Sequence, residues 1–335
     1  MNCTNLQSVS IPESVIRIED YAFSNCSKIQ SITIPEHVEY IGKSAFEWCS
    51  PGYLNFPDGV LYIGKNAFRN CLPSSLNLNT IINITSIIER ENIRTVSFGV
   101  KVRGIANSAF RGCRNLIEVN IPEGIKYIGE GAFSDCNNLT SINISGAINI
   151  EAGAFMNCTK LSSIDLPDCL NKIDECAFYQ CSIKTIAIPD GVTYIGRGSF
   201  ALCRQLTKVT IPGSVVIVGE DTHMPKTVNY NYGAFESCGL RSVIIQDGVT
   251  TIGDRAFYGC GGLDTISIPE SVVSIGELAF EGTPWYENNK DGVPIIEITA
   301  NSSDIIDMAG RSATQTTDIP YINVIIIDGK KYLMK

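Results

Sequence analysis

The sequence predicts a strand-rich α/β solenoid of about twelve coils, each 22 to 23 residues long. Three observations support this fold class. The phrase Ala-Phe-x-x-Cys returns along most of the chain, the cysteines that end it are usually 22 or 23 residues apart, and apolar residues recur at fixed positions between them. Residues 26–48, CSKIQSITIPEHVEYIGKSAFEW, are a clean copy of the unit. A fixed period of this length is typical of a solenoid, in which each unit buries its apolar face by stacking on its neighbours.

Each part of the unit has a physical interpretation. The Ile-x-Ile stretch alternates with period two, which predicts a short strand. The proline after it ends the strand because it has no N–H to donate to a ladder. Val-x-x-Ile-Gly turns the chain, with glycine supplying backbone freedom at the corner. Ala-Phe-x-x-Cys is expected to form a short helical or 3₁₀ turn in which the phenylalanine, as at Phe133 and Phe155, fills the interior. Coils stacked about 4.8 Å apart would place a parallel sheet on one face and these turns opposite.

Composition limits the classes of function. The chain has 26 Lys and Arg against 35 Asp and Glu, a net charge of −9, which opposes nucleic-acid binding because that requires phosphate neutralisation. No stretch approaches the roughly 18 consecutive apolar residues of a membrane span. We find no nucleophile elbow, phosphate loop, dinucleotide turn or paired metal motif. We therefore expect no enzyme, no cofactor, no metal and no membrane insertion.

The recurring cysteine could serve packing, disulfides or metal binding. In-register side chains of neighbouring coils point in parallel about 4.8 Å apart, whereas disulfides need Cβ atoms about 3.5 to 4.5 Å apart. A linear row cannot converge tetrahedrally on zinc. We therefore expect reduced, buried cysteines that act as small apolar residues. Cys169 and Cys176 lie outside this register. They are expected either to pair with each other or to be exposed thiols.

The consensus L-x-x-I-x-I-P-x-x-V-x-x-I-G-x-x-A-F-x-x-C resembles the BspA-like, treponemal-type class of leucine-rich repeat over residues 1 to about 283. The resemblance implies a right-handed leucine-rich-repeat solenoid, usually part of a secreted or surface-displayed protein. It also implies adhesion to host proteins, including matrix proteins, and association between cells. No enzymatic activity is implied by these repeats.

Residues 1–283 are predicted to form the solenoid, with two irregularities. Residues 72–95 hold one coil without an Ala-Phe-Cys phrase, flanked by strands at 76–78 and 96–98. Residues 220–232 contain an insertion of twelve extra residues into an otherwise normal coil.

The repeat stops after Thr283, and residues 284–335 are predicted to be a C-terminal cap. A solenoid exposes its core at each end and needs covering there. Trp285 and Tyr286 are expected to lie over the last coil, and Asp328-Gly329 between apolar stretches predicts a terminal hairpin. The first coil has no equivalent cap. This predicts either further sequence before Met1 or self-association through the N-terminal coil.

Six residues are candidate contacts with a protein partner. Three cations on consecutive coils, at or beside the edge of the predicted sheet, could form a basic patch. The insertion adds side chains suited to adaptable or amphipathic contacts. The alternatives are a solvated strand surface and a tolerated loop. The six candidates are Lys184, Lys208, Arg241, His223, Tyr230 and Tyr232.

We expect the partner to be a protein, such as a host extracellular-matrix or cell-surface protein. The expected location is extracellular or at the cell surface, although no signal peptide is present in this chain. The alternative is a cytoplasmic repeat scaffold for protein–protein interaction. Many unpaired thiols favour this second interpretation because they are typical of a reducing compartment.

Overall fold

The computed structural model describes residues 3–57, 59–64, 66–71, 73–78, 90–100, 102–219, 232–289, 322–327 and 330–333. Within these ranges the chain is a parallel β-solenoid with very little helix: one 3₁₀ turn, Arg90–Asn92, and one α-helix, α1, Pro284–Asn289. The strands are, in chain order, β1 (Arg17–Ile18), β2 (Ser31–Thr33), β3 (Tyr40–Ile41), β4 (Tyr53–Phe56), β5 (Tyr62–Ile63), β6 (Ser75–Leu78), β7 (Thr95–Phe98), β8 (Gly104–Ile105), β9 (Glu118–Asn120), β10 (Tyr127–Ile128), β11 (Ser141–Asn143), β12 (Asn149–Ile150), β13 (Ser163–Asp165), β14 (Lys172–Ile173), β15 (Tyr194–Ile195), β16 (Lys208–Ile211), β17 (Ile217–Val218), β18 (Ser242–Ile245), β19 (Thr251–Ile252), β20 (Thr265–Ser267), β21 (Ser274–Ile275), β22 (Ile322–Ile327) and β23 (Lys330–Leu333).

The predicted Ile-x-Ile strands line one side of the solenoid, which we call the sheet face. They pair in parallel in three groups, β2-β4-β6-β7-β9, β11-β13 and β16-β18-β20. The described residues thus give ten strand-bearing turns here, slightly fewer than the predicted twelve coils, because residues 8–10 and 185–187 form no strand. Just before residues 185–187, the backbone hydrogen bond from Lys184 N to Ser162 O of the preceding coil is long, at 3.3 Å.

A second row of strands lines the next side, which we call the short-strand face. Its two-residue strands include the isoleucine of Val-x-x-Ile-Gly, where the sequence predicted only a turn. Strands β1-β3-β5 form one parallel group, and those from β8 to β21 continue as a longer one. Extension is favoured here because stacked coils bring backbone N–H and C=O groups face to face, and buried groups of this kind must be paired.

The third side, the turn face, carries the Ala-Phe-x-x-Cys phrases as tight turns rather than a continuous helix. Backbone N–H groups alternate between two kinds of partner. Phe46 N donates to Ala67 O of the next coil at 2.7 Å, while Cys49 N donates to Phe46 O within its own coil at 3.2 Å. Residues at both ends of the phrase have left-handed backbone, as at Ser44 (φ 51°) and Trp48 (φ 60°), and this interrupts helical geometry.

The core is a column of phenylalanine rings, one from each regular coil. The rings lie nearly parallel, with centroids 5.1 to 5.6 Å apart from Phe110 to Phe280. Phe133 and Phe155 are fully buried, which confirms their predicted position. Isoleucines and leucines of the two strand rows surround the column and complete one continuous apolar core.

The irregular coil interrupts this column, and on each side of the interruption a second phenylalanine packs on the last ring of the column. Strands β6 and β7 pair in register across the coil, in agreement with the two strands predicted there. Phe56 packs at 60° on Phe68, with centroids 5.0 Å apart, and Phe98 packs edge-on against Phe110 at 5.8 Å. Both of these rings come from sheet-face strands, and Leu78 lies between them in the strand register. Residues 72 and 79–89 lie outside the described part of the chain.

The last repeat leads directly into α1. Thr283 occupies the usual cysteine slot and caps the helix: its Oγ1 accepts from Tyr286 N at 3.1 Å and donates to Phe280 O at 2.7 Å. The Trp285 ring packs 5.0 Å from the Phe280 ring. Strand β22 pairs antiparallel with β21, and β23 pairs antiparallel with β22. Residues 328–329, the predicted turn between these strands, lie outside the described residues.

Candidate protein-interaction surfaces

The recurring cysteine is a structural group with a hydrogen bond of its own. All thirteen cysteines are free, and ten are buried. In at least seven repeat cysteines the sulfur donates to the phenylalanine carbonyl of the coil before, as from Cys158 Sγ to Phe133 O at 3.1 Å and from Cys238 Sγ to Phe200 O at 3.0 Å. The prediction of reduced, buried cysteines holds for these ten but not for Cys3, which is exposed in the first coil.

Burial keeps these thiols neutral. Desolvation raises the pKa of Cys158 and that of Cys203 to about 12, so both remain donors rather than nucleophiles near neutral pH. Within the described part of the chain, no cluster of three or more His, Cys, Asp and Glu side chains could hold a metal ion. The cysteine row is therefore explained by packing and by its hydrogen bonds to phenylalanine carbonyls.

The two cysteines outside the register are not paired with each other. Cys169 is exposed, with its Sγ 3.4 Å from Ala147 O. Cys176 is half-buried, and burial raises its pKa to about 11. Of the two alternatives left open by the sequence, the structure shows free thiols, although only Cys169 is fully exposed.

The three predicted cations lie at the start of the sheet-face strands on consecutive coils. Lys208 opens β16 and pairs with Ser242, so Arg241 lies one residue before its register partner. Lys184 precedes the unpaired segment 185–187 of the coil before. All three side chains are exposed, and none forms an ion pair with a residue that the structure describes. We call this group the basic patch.

The insertion returns to the solenoid on a different side from the basic patch. Tyr232 lies on the turn face, its ring 5.3 Å from that of Tyr179. Residues 220–231, which include His223 and Tyr230, lie outside the described residues. The structure therefore places the three cations together along one strand edge and does not bring Tyr232 to them.

A clamp that the sequence analysis missed holds the return point of the insertion. The buried Glu236 accepts from Gly233 N at 2.9 Å and from Arg255 Nε and Nη2 at 3.0 and 2.6 Å. The Arg255 guanidinium also lies 3.9 Å above the Tyr258 ring. The sequence does contain a signal for this clamp. Glu236 directly follows one Ala-Phe pair, and Arg255 directly precedes the Ala-Phe pair of the next coil.

A third surface lies on the short-strand face of the first three coils. Tyr40 and Tyr62 stack with centroids 4.8 Å apart, and Arg17 lies 3.8 Å above the other face of Tyr40. Ile16 and Leu61 are 55% and 81% exposed beside them. We call these five residues the N-terminal aromatic patch. Tyr40 and Tyr62 occupy the same slot of the repeat in consecutive coils, but nothing in the sequence groups them with the arginine and the two aliphatic residues.

The fold and these surfaces define a class: a leucine-rich repeat solenoid, which is a scaffold for protein interaction and is typically not enzymatic. The chain belongs to the family described as BspA type leucine rich repeat region, whose model matches residues 1–90, 85–206, 138–224 and 226–299. No curated protein sequence matches the chain. No helix among the described residues is long and apolar enough to span a membrane.

Three solved structures are similar to the chain. A leucine-rich repeat protein from Bacteroides ovatus is 25% identical, with 86% of this chain and 82% of that one covered and a TM-score of 0.44. A leucine rich cell surface protein from Faecalibacterium prausnitzii is also 25% identical, with 84% and 86% covered and a TM-score of 0.36. The T. pallidum leucine rich repeat protein is 20% identical, with 76% and 81% covered and a TM-score of 0.35.

Proposed function

We propose that the chain is a non-enzymatic recognition module of a secreted or surface-displayed protein, and that it adheres to a host matrix or cell-surface protein. The proposal combines membership of the BspA type repeat family with the geometry of the sheet face. That face repeats nearly the same outward positions coil after coil, which creates an extended surface rather than a closed pocket.

The observation that carries the proposal is the basic patch. Most outward positions of the sheet face are Ser, Thr or Asn, but three exposed cations follow one another on neighbouring coils. Asp165 at the end of β13 and Asp264 before β20 flank them. In a protein of net charge −9, such a local excess of positive charge favours an acidic surface on the partner.

The proposal is tested by screening the purified chain against immobilised matrix proteins and repeating each positive result with a triple variant, Lys184→Glu, Lys208→Glu and Arg241→Glu. We expect the variant to lose at least about tenfold in affinity, mostly through slower association, and to lose the salt dependence of binding. The matched control changes three exposed cations at coil corners, Lys28→Glu, Arg114→Glu and Lys160→Glu. Equal losses in both variants would contradict a specific basic patch.

The alternative proposal is a cytoplasmic repeat scaffold. Its support is the large number of free cysteines, which suit a reducing compartment. Labelling intact and permeabilised source cells with an antibody to the chain separates the two locations. Signal on intact cells supports the surface proposal, and signal only after permeabilisation supports the scaffold.

We also propose that residues 284–335 act as a cap that closes the last coil, and that residues 1–283 are the recognition part of the chain. Trp285 covers the last ring of the phenylalanine column, and β22 occupies the open edge of β21. Among the described residues, no comparable element covers the first coil.

Self-association through that coil would be detected as a concentration-dependent mass in sedimentation equilibrium.

A further inference from the structure

We propose that the N-terminal aromatic patch is a second docking surface, separate from the sheet face, and that it takes a basic protein segment in which an arginine or lysine is flanked by aliphatic side chains. The patch lies on the short-strand face, where β1, β3 and β5 stack in register through Arg17, Tyr40 and Tyr62. This surface is independent of the basic patch and of any partner that the basic patch recognises.

The two aliphatic side chains of the patch are highly exposed to solvent. Ile16 and Leu61 lie two coils apart, directly before β1 and β5, and both are strongly exposed. Tyr62 beside them is 51% exposed. Ile16 and Leu61 thus lie near an exposed tyrosine, and tyrosine and arginine are enriched at the energetic centres of protein interfaces.

The charge at the centre of the patch is negative. Glu39 lies between Ile16 and Leu61: its N–H donates to Ile16 O at 2.8 Å, and its carbonyl accepts from Leu61 N at 2.9 Å. Its side chain is exposed and forms no ion pair within the described ranges. Residues 13–47 carry six carboxylates and three Lys or Arg side chains. A carboxylate between two aliphatic side chains is complementary to a cation with apolar neighbours.

The chain already makes one contact of the proposed kind at this place. The Arg17 guanidinium covers one face of Tyr40 and is held there by Glu19, with Nε 2.9 Å from Oε1. Tyr62 covers the other face of Tyr40. An incoming guanidinium that bonds to Glu39 and lies against Tyr62 would repeat this arrangement at the exposed end of the stack.

The same features argue against a sugar. Carbohydrates stack on open aromatic faces, but Arg17 and Tyr62 cover both faces of Tyr40, which leaves only the Tyr62 ring for a sugar. The unpaired Glu39 favours a cation instead.

Coils near the other end provide a matched control site. Val216, Thr250 and Val273 occupy the slots of Ile16, Glu39 and Leu61, with the corresponding backbone bonds from Thr250 N to Val216 O and from Val273 N to Thr250 O, both 2.9 Å. Val216 and Val273 are also strongly exposed. This site has the same geometry but neither a carboxylate nor stacked tyrosines, so it is not expected to bind.

The test is fluorescence anisotropy with the full chain and a labelled peptide of alternating leucine and arginine. We expect Glu39→Gln, Leu61→Ala and Tyr62→Ala each to weaken binding by about fivefold or more. The controls Glu118→Gln, an exposed carboxylate on the sheet face, and Val273→Ala should change affinity by less than twofold. The triple basic-patch variant should bind the peptide normally, which separates this proposal from the proposed function.

Several results would overturn the proposal. These are no binding by the unmodified chain, equal weakening by Glu39→Gln and Glu118→Gln, or no effect of Leu61→Ala and Tyr62→Ala. The second result would show general attraction to an acidic protein. If a neutral glycan bound the chain and Tyr62→Ala abolished that binding while the peptide was unaffected, the patch would be a sugar site instead. Far-UV circular dichroism checks that every variant keeps the fold.

Discussion

At the scale of single residues, most of the buried repeat cysteines fill a small internal slot and also bond to the coil before them. Cys203 is fully buried, and its Sγ lies 3.2 Å from Phe178 O of the coil before. Alanine would fill part of the slot without a donor, whereas serine would keep a donor that is more costly to bury. Thr283, which takes the cysteine slot of the last coil, is an exception, because its hydroxyl bonds to the Phe280 carbonyl of its own coil and does not link two coils.

Replacement of one such cysteine tests this account. We expect Cys203→Ala to lower the free energy of unfolding by about 1 to 2 kcal/mol, through a small cavity and a carbonyl that loses one partner. Urea unfolding measures the change. Cys169→Ala, at an exposed thiol, is the control and should stay within about 0.5 kcal/mol. Equal effects would show that the buried bond contributes nothing.

The phenylalanine column predicts a larger effect. Phe155→Ala removes a fully buried ring that stacks on Phe133 and Phe178, and we expect a loss of about 3 to 5 kcal/mol. Tyr127→Ala, at an exposed ring on the short-strand face, should change stability by less than about 0.5 kcal/mol. Chemical denaturation compares both. A loss below about 1 kcal/mol for Phe155→Ala would mean that the ring is not part of a packed core.

At the scale of elements, the Ile-x-Ile strands and their register followed from period-two alternation, and the phenylalanine interior followed from its fixed spacing. The short-strand face did not follow, because two residues are too few to show a period. The left-handed positions of the turn face were also missed, since the residues there range from Gly131 to Trp48 and share no side-chain property.

Of the candidate surfaces, one could be predicted from the sequence and one could not. Lys184, Lys208 and Arg241 could be grouped from the sequence because the repeat fixes which residues begin each strand. The N-terminal aromatic patch needed coordinates. Stacking of Arg17 on Tyr40 depends on side-chain direction, and the exposure of Leu61 depends on what surrounds its corner.

The clamp at the base of the insertion is an element-scale prediction. Arg255→Met would leave the buried Glu236 carboxylate without its main partner, so we expect a loss of about 2 to 3 kcal/mol in stability. Glu236→Gln with Arg255→Met should recover part of it, because no charge is then left buried without a partner. Thermal unfolding of the two variants decides this. If the double variant is no more stable than Arg255→Met alone, the unpaired charge of Glu236 is not the cause of the lost stability.

At the scale of the whole molecule, the row of buried thiols makes stability depend on alkaline pH. Burial raises the pKa of Cys158, Cys203 and Cys260 to about 12 in the folded chain, whereas an unfolded thiol titrates near about 8.5. The folded state therefore holds protons that the unfolded state releases. Stability is complete below the unfolded pKa and falls as pH rises towards the folded pKa.

We expect each buried thiol to remove about 1.4 kcal/mol of stability per pH unit once the pH is well above about 8.5. Burial raises the pKa of nine repeat cysteines, so the chain should unfold over a narrow alkaline interval, which circular dichroism would follow between pH 8 and 11. Cys203→Ala should flatten the slope relative to the parent chain, and Cys169→Ala should not. If stability were constant between pH 8 and 11, the prediction that burial raises the pKa of these thiols would be wrong.

The stacking of coils also has an optical consequence. The chain has two tryptophans. Trp48 is 54% exposed on the second coil, whereas Trp285 lies against the last phenylalanine of the column. Because each coil contacts only its neighbours, the two ends can open separately. With Trp48→Phe the remaining emission reports fraying of the last coil alone, and with Trp285→Phe it reports the first coils. The protein therefore has a separate fluorescent reporter near each end of its stack.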